Sequence, residues 1–285
     1  MRQIRMLAAG VVVWLTLLIP LQASAAGWLV GAAADGTIYD VDMVTGAAGN
    51  PRSTGIENLD GITFTGDDTL YGLSSNGSLY TIDLAAGAAT DTGMVVGSGR
   101  RYDLTWDPTN DALFLVYTAP GASGAKLMMF DPRTEDEVLI GWFTSAVSAI
   151  AVDPAGTLLA IDDNQGLLVA VDTTPRPPED RFLDIVAEIP LGLDLNWAGG
   201  LVAATEDVVY WSGSEMYGAD TGYELNRSTG LLAVLGPTGV PDGLTSLAFV
   251  PEPASLLLLG IGAACMAKER QRKSETTCFD LEETL

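Results

Sequence analysis

Hydrophobic and polar residues alternate over short stretches through most of the chain, with the period of half-buried β-strands. Two such stretches, Thr69–Leu73 and Ser78–Asp83, flank the dipeptide Asn76-Gly77. This dipeptide predicts a type I′ hairpin turn, because both of its residues tolerate a positive φ. Similar pairs occur at Trp28–Gly31 with Thr37–Asp42, Leu113–Tyr117 with Lys126–Asp131, Leu158–Ile161 with Leu167–Asp172, and Val208–Ser212 with Tyr223–Asn226. The chain is therefore predicted to consist of repeated β-hairpins.

The second strand of each hairpin ends in the same four-residue pattern: an apolar residue, any residue, a second apolar residue, and then Asp or Asn. The Asp or Asn residues are Asp42, Asp83, Asp131, Asp172 and Asn226. A side-chain oxygen at this position can accept hydrogen bonds from the N–H groups of the following turn, which favours a structural role over a ligand role. The pattern recurs about every 40 to 55 residues, and four short strands in a repeat of that size indicate a β-propeller.

Each repeat after the first also begins with an apolar strand suited to the innermost position of a blade. These strands are Leu59–Phe64, Tyr102–Trp106, Val147–Val152 and Trp197–Val202. A further strand, Leu244–Val250, follows the last repeat, whereas the first repeat has no inner strand of its own. We therefore predict an all-β fold, a β-propeller of five four-stranded blades closed by pairing of the N- and C-terminal segments, which removes the open sheet edge. The core resembles exported propellers with YVTN-type or NHL-like repeats, and this resemblance implies a fold rather than an activity.

The N-terminal segment has the features of a secretory signal. Arg2 and Arg5 precede the apolar run Met6–Leu21, and Ala23 and Ala25 form a small-x-small pattern around Ser24. These features are typical of a signal peptide cleaved after the second small residue. Residues 1–25 are therefore expected to direct export and to be removed.

The C-terminal segment has three parts, of which the first is the sequence Val250, Pro251, Glu252, Pro253. An apolar run to Ala267 and the basic cluster Lys268–Lys273 follow. As a helix, the apolar part would cover only ~21 Å of a bilayer core about 30 Å thick, and by length alone a buried core helix would fit as well. The flanks favour the membrane, because prolines break the backbone before the run and cations anchor its other end on the cytoplasmic side.

These three parts resemble a PEP-CTERM sorting tail, which is found on exported bacterial proteins. The resemblance implies a precursor held in the inner membrane by its C-terminal helix, transient processing by an exosortase-like membrane protease at Val250, Pro251, Glu252 and Pro253, and delivery to the cell envelope surface or the extracellular matrix. The expected organisation is a signal peptide at 1–25, a β-propeller domain at 26–250, the sorting tail at 251–273 and an acidic extension at 274–285. The extension departs from the resemblance, since most such tails end near the basic cluster.

Composition narrows the chemistry that the exported domain can perform. The chain has 37 acidic and 14 basic residues, a net charge of −23 and no histidine. Such an acidic surface repels the phosphate backbone of DNA and RNA, and we therefore expect no nucleic acid partner. Without histidine there is no Ser-His-Asp triad, and most zinc and transition-metal sites are excluded. Both cysteines, Cys265 and Cys278, lie in the C-terminal segment, so the exported domain has no disulfide. No cofactor is expected, although Asp-rich turns at 67–68 and 162–164 leave calcium open.

Candidate site residues lie at the leading ends of the inner strands, where most propellers bind ligands. The positions predicted to be equivalent are Asp60, Asp103, Ser148, Ala198 and Thr245. A ligand site is predicted from two of them together with a basic pair and a tryptophan: Asp60, Asp103, Arg100, Arg101 and Trp197. The structural alternatives are carboxyl groups that bond only to backbone and arginines paired with neighbouring acids. Trp106 and Trp211 are expected to pack between blades.

Two functions follow from these residues. The first is a non-enzymatic surface or matrix module that binds exopolysaccharide or an envelope protein through the predicted ligand site. The second is a glycan-cleaving enzyme that uses Asp60 and Asp103, because glycoside hydrolysis needs two carboxyl groups about 5–10 Å apart.

Overall fold

A computed structural model describes residues 28–97, 100–118, 124–175, 181–193, 195–215 and 219–250, and this part of the chain is all-β. The predicted signal peptide and sorting tail lie outside the described residues. No helix in the described ranges is long and apolar enough to span a membrane. The strands are β1 (Leu29–Ala32), β2 (Thr37–Val41), β3 (Ala48–Ser53), β4 (Leu59–Phe64), β5 (Leu70–Ser74), β6 (Ser78–Ile82), β7 (Ala89–Val95), β8 (Arg100–Asp107), β9 (Ala112–Thr118), β10 (Ala125–Asp131), β11 (Asp136–Trp142), β12 (Val147–Val152), β13 (Leu158–Asp162), β14 (Leu167–Val171), β15 (Ile185–Pro190), β16 (Leu195–Ala203), β17 (Val208–Glu215), β18 (Thr221–Asn226), β19 (Leu231–Pro237) and β20 (Ser246–Phe249).

The strands form five antiparallel sheets of four strands each. Four sheets contain consecutive strands, β4 to β7, β8 to β11, β12 to β15 and β16 to β19, and the remaining sheet has the order β20-β1-β2-β3. In this sheet Phe249 pairs with Leu29 and Ser246 pairs with Ala32. The last strand of the chain thus supplies the innermost strand of the first blade, which confirms the predicted five-blade propeller and its mode of closure. We number the blades 1 to 5 from this sheet onward.

The inner strands surround the axis of the ring. Contacts run from β20 to β4, β8, β12 and β16 in turn, and β16 contacts β20. Because neighbouring strands in a blade are antiparallel, all inner strands begin on one face of the ring, here called the leading face, and end on the other, the trailing face. Both ends of the ring lie on the trailing face, where Val250 N–H donates to Trp28 O at 3.0 Å.

The hydrophobic core is divided into five clusters, each between two neighbouring blades. The cluster between blades 4 and 5 contains Trp211, which is 1% exposed and stacks on Tyr223 with ring centroids 4.8 Å apart. Corresponding clusters join blades 3 and 4, 1 and 2, 2 and 3, and 5 and 1. The interblade packing expected for Trp211 is confirmed. Since the domain has no disulfide, these contacts provide most of its cohesion.

The Asp and Asn residues at the strand ends cap turns, as predicted. Asp42 Oδ1 accepts hydrogen bonds from the N–H groups of Val44 and Thr45, both at 2.8 Å, and these bonds lower the Asp42 pKa. Asp83 Oδ1 accepts in the same way from Ala85 and Ala86. The other three members accept the corresponding backbone bonds: Asp131, Asp172 and Asn226. The repeated pattern is therefore explained by turn formation.

The turn type predicted at Asn76-Gly77 was wrong, although the hairpin is present. Gly77 has a φ of +89°, whereas Asn76 does not have a positive φ, so the turn is not type I′. Strand pairing stops at Leu73 and Leu79, and the connection is therefore longer than two residues. In this longer turn Asn76 Oδ1 accepts from Ser78 N–H at 2.8 Å, which needs no left-handed backbone at Asn76.

Candidate functional site

Polar side chains on the inner strands bond to the backbone of the next blade. Ile62 N–H donates to Ser246 Oγ at 3.0 Å, and Ile150 N–H donates to Asp103 Oδ2 at 2.8 Å. Nearer the trailing face, Trp106 and Val152 donate to the hydroxyl groups of Thr63 and Thr105. An inner strand is a sheet edge whose outward N–H groups lack ladder partners. The side chains of the preceding blade therefore satisfy these donors.

Asp103 connects several blades at the centre of the ring. Its Oδ1 accepts from Leu104 N–H at 3.0 Å and from Ser246 Oγ at 2.9 Å, while its Oδ2 is occupied by Ile150. The side chain is 1% exposed, and burial raises its pKa well above the usual value, an effect that the charge of Asp60 increases. Both oxygens are thus held by protein groups in a buried position. This geometry is that of the structural alternative, in which the carboxyl group bonds to backbone.

The predicted ring of equivalent polar positions is out of register at Asp103 and also at Ala198, because the bulge of β16 that matches Asp60 lies at Gly199. Asp60 occupies a β-bulge of β4 and Ser148 the equivalent bulge of β12, each four residues before its strand ends. In β8 the bulge lies at Arg101, and the matching interblade bonds of Thr63 and Thr105 align Asp103 with Gly61 instead. The equivalence of Asp103 with Asp60 was therefore wrong, because β8 has its bulge at a different distance from its hairpin.

The structure gives the strand positions of the other predicted site residues. Arg100 and Arg101 lie at the leading end of β8, where Arg100 pairs with Thr118. Trp197 lies near the leading end of β16, in a blade separated from β8 by blade 4. The side chains of these three residues are outside the description. Asp60 is half-buried and lies close enough to Asp103 to affect its pKa.

A cavity of about 370 Å³ lies on the leading face of blade 5, and no pattern in the sequence predicted it. It is lined by Ser214, Ala219, Asp220, Pro237, Gly239, Val240, Pro241, Asp242 and Gly243. Asp220 is 8% exposed, and its Oδ2 accepts from Thr238 Oγ1 at 2.7 Å and from Leu244 N–H at 3.1 Å. Its Oδ1 has no hydrogen-bond partner within the described ranges, and burial raises its pKa to about 6.

Asp220 occupies a position that is glycine in blades 1, 2 and 4 and alanine, Ala125, in blade 3. Its carbonyl oxygen accepts from the N–H of Thr238, just as the carbonyls of Gly36, Gly77 and Gly166 accept from the outer-strand ends of blades 1, 2 and 4. Those three glycines have positive φ, and Asp220 does not. Blade 5 thus replaces a turn glycine by a buried carboxyl group that holds the loop leading into the closing strand. Aligning the repeats at this turn would have marked Asp220 as the one charged residue among the five equivalent positions.

A second cleft, of about 190 Å³, lies on the trailing face between blades 2 and 3. We call it the aromatic cleft, and it is lined by Thr65, Gly66, Asp67, Tyr71, Trp106, Asp111, Pro132 and Arg133. Trp106 was expected to pack between blades, and it does contact the cluster there, but it remains half-buried and forms part of the cleft wall. The sequence does not reveal this exposure, which depends on a turn of another blade.

The Asp-rich turns considered for calcium are occupied by turn hydrogen bonds. Asp162 accepts from the N–H groups of Asn164 and Gln165, and Asp67 accepts from Thr65 and Thr69. Among the residues that the structure describes, no group of three or more acidic or sulfur-bearing side chains is arranged to hold a metal ion.

Comparison with protein families identifies the C-terminal segment. Residues 249–272 match the family model described as the PEP-CTERM protein-sorting motif. The match confirms the resemblance seen in the sequence: the protein is exported, anchored transiently at the membrane and processed by an exosortase-type membrane enzyme. The match begins at Phe249, the last residue of β20. A search of curated proteins finds no match to the chain.

Solved structures with partial likeness differ widely in what they do. Hydrazine synthase of Kuenenia stuttgartiensis aligns at 12% identity and a TM-score of 0.43, over 72% of this chain and 64% of that one. A nidogen/laminin complex aligns at 9% identity and a TM-score of 0.49, over 78% of this chain and 85% of that one. An auxiliary nutrient binding protein from Bacteroides ovatus aligns at 16% identity and a TM-score of 0.47, over 72% of this chain and 53% of that one. This chain thus spans less than two thirds of the first and third of these, and likenesses of this size say nothing about ligand or activity.

Proposed function

We propose that the trimmed propeller is a non-enzymatic binding module of the cell surface or extracellular matrix and that its ligand is exopolysaccharide. The observation that carries the proposal is the position of the sorting motif relative to the ring. The motif match begins at Phe249, and the last backbone bond of the ring joins Val250 to Trp28. Cleavage after Val250 would leave all five sheets complete. A signal placed directly after the closing strand suits a protein whose mature form is the ring alone.

The topology also suggests how the precursor is oriented. Trp28 and Val250 are hydrogen-bonded on the trailing face, so both membrane-directed segments leave the ring at one point. Only three residues separate Val250 from the apolar run at Ala254, so the two are at most about 14 Å apart along an extended chain. The trailing face would therefore lie towards the bilayer before cleavage, and the leading face, with Asp60, Arg100, Arg101 and Trp197, would point away from it.

A binding role agrees better with the site geometry than glycan cleavage does. Cleavage requires two carboxyl groups that face the same sugar. Asp103 is 1% exposed, and both of its oxygens accept hydrogen bonds from the protein. The candidate pair Asp60 and Asp103 is therefore not favoured as catalytic machinery. An envelope protein is the other partner that a surface module of this kind would bind.

The proposal can be tested in the producing cell. We would compare a strain that makes exopolysaccharide with an isogenic strain that does not, and follow the protein in membrane, polymer and medium fractions by immunoblot. We expect the trimmed protein in the polymer fraction of the first strain and in the medium of the second. Retention at the surface of cells that lack the polymer would overturn the proposed ligand and indicate an envelope protein instead.

A further inference from the structure

The aromatic cleft is built from turns of two neighbouring blades on the trailing face. Thr65, Gly66 and Asp67 belong to the turn after β4, and Trp106 is the second-last residue of β8. The turn between β10 and β11 supplies Arg133. The lining thus combines aromatic rings with charged groups. Its volume of about 190 Å³ is below the ~300–1,000 Å³ of sites for drug-sized ligands, which suits a single small ring.

Trp106 is held in place and its indole remains accessible. Its backbone N–H donates to Thr63 Oγ1 at 3.1 Å, and its ring packs against the cluster between blades 2 and 3, as does Tyr71. Gly66 lies over the ring, since a Cβ at this glycine would be 3.5 Å from Trp106 Nε1 and 3.9 Å from Cε2. Glycine at this position leaves the indole uncovered. The aromatic surface is therefore formed before any ligand binds, which lowers the entropic cost of binding.

The rim provides hydrogen-bonding groups of both kinds. Asp67 Oδ1 accepts from Thr65 Oγ1 at 2.5 Å and from Thr69 N–H at 3.3 Å, and these bonds lower the pKa of Asp67, so the group is an ionised acceptor. Arg133 is oriented by ion pairs with Asp131, at 3.2 Å, and with Asp111. Its guanidinium supplies donors. An aromatic ring beside an acceptor and a donor matches a sugar, which has an apolar C–H face and a rim of hydroxyl groups.

Charge in and around the cleft distinguishes between classes of saccharide. Arg133 is the single cation of the cleft lining, it is paired with Asp111 and Asp131, and Asp67 also lines the cleft. The chain as a whole has a net charge of −23. Polymers of uronic acids or sulfated sugars would be repelled by this field. A neutral sugar would not be.

We propose that the aromatic cleft binds one residue of a neutral saccharide, with the sugar ring stacked on Trp106 and its hydroxyl groups bonded to Asp67 and Arg133. The inference rests on the proposed function and adds to it a site and a ligand class. The site lies on the face opposite to the predicted ligand residues Asp60, Arg100 and Arg101, so variants of the two faces can be compared.

The test is calorimetric titration of the trimmed protein, purified from the producing cell, with a neutral glucose hexasaccharide and with a uronate hexasaccharide. We expect binding of the neutral probe only. Trp106→Ala should weaken it at least about tenfold, as for a central aromatic contact. Gly66→Leu should weaken it to a similar extent by covering the indole without removing a core residue, so it remains informative if Trp106→Ala is unstable. Trp28→Ala removes an exposed tryptophan outside the cleft and should have no effect.

Each contrary outcome overturns the site. Equal binding by Gly66→Leu, or tighter binding of the uronate, would show that the cleft is not the site of a neutral sugar. The same variants are then titrated with exopolysaccharide from the producing cell. If the polymer binds while the neutral hexasaccharide does not, the cleft proposal fails and the proposed function stands. If neither probe binds, both fail.

Discussion

The replacement Asp220→Asn should make the propeller more stable at neutral pH. Asp220 has a pKa of about 6 in the folded protein, raised from 3.8 by burial against the opposing effects of its bonds to Thr238 and Leu244. The difference of about two pKa units, at 1.36 kcal/mol each, corresponds to roughly 3 kcal/mol. Below pH 3.8 Asp220 is protonated in both the folded and the unfolded state, and its burial does not reduce the stability of the fold. As the pH rises from 3.8 to about 6 only the unfolded state loses the proton, so the stability falls, and above about 6 it stays at the lower value. Asparagine keeps an acceptor for Thr238 and Leu244 and remains neutral.

The assay is urea unfolding of residues 26–250 followed by tryptophan fluorescence between pH 3 and pH 8. We expect the variant and the parent to agree near pH 3 and to differ by roughly 3 kcal/mol above pH 7, with the variant more stable. Asp242→Asn removes an exposed carboxyl group from the same loop, controls for the change in net charge and should not reproduce the gain. A difference between Asp220→Asn and the parent that does not depend on pH would refute the reasoning.

Two further predictions concern contacts between blades. Arg227→Ala should destabilise the ring by about 3 kcal/mol, because it leaves the buried Asp153 without the guanidinium that contacts it at 2.6 Å. Arg133→Ala should cost less than about 1 kcal/mol, because the ion pairs of Arg133 are exposed. Thermal unfolding compares the two variants, and equal losses of stability would contradict this expectation. Gly199→Ala should cost at least about 3 kcal/mol or prevent folding, since its Cβ would lie 1.7 Å from a carbonyl oxygen of the closing loop. Gly49→Ala, with no atom within 4 Å of the added Cβ, should fold normally, and soluble yield with circular dichroism would detect a failure of either expectation.

The repeat architecture could be predicted because each blade follows the same local rules. The alternation of hydrophobic and polar residues indicated the strands. Asp42 and its counterparts indicated the turns, because their side chains accept hydrogen bonds from backbone N–H groups. Closure followed from the position of the strand that ends in Phe249, which has no partner in its own repeat and pairs with Leu29. Such features depend on residues that are close in sequence or on a count of strands.

The candidate site was harder to predict because it depends on register and on contacts between blades. The bulge at Arg101 displaces Asp103 by one residue relative to Asp60, and the hairpin pattern does not contain this information. The exposure of Trp106 depends on Gly66, which belongs to another blade. The counterparts of Asp220 in the other blades can be recognised only when the blades are aligned by their backbone hydrogen bonds. Each of these depends on tertiary geometry.

The most direct test of the proposed function uses residues 26–250 and exopolysaccharide purified from the producing cell. Co-sedimentation of the protein and release of reducing ends are recorded in the same tubes, with and without added calcium. We predict that the protein sediments with the polymer and that no reducing ends appear. Release of reducing ends would contradict the account and assign the protein to the glycan-cleaving enzymes, and the absence of both signals would contradict it in favour of a protein partner.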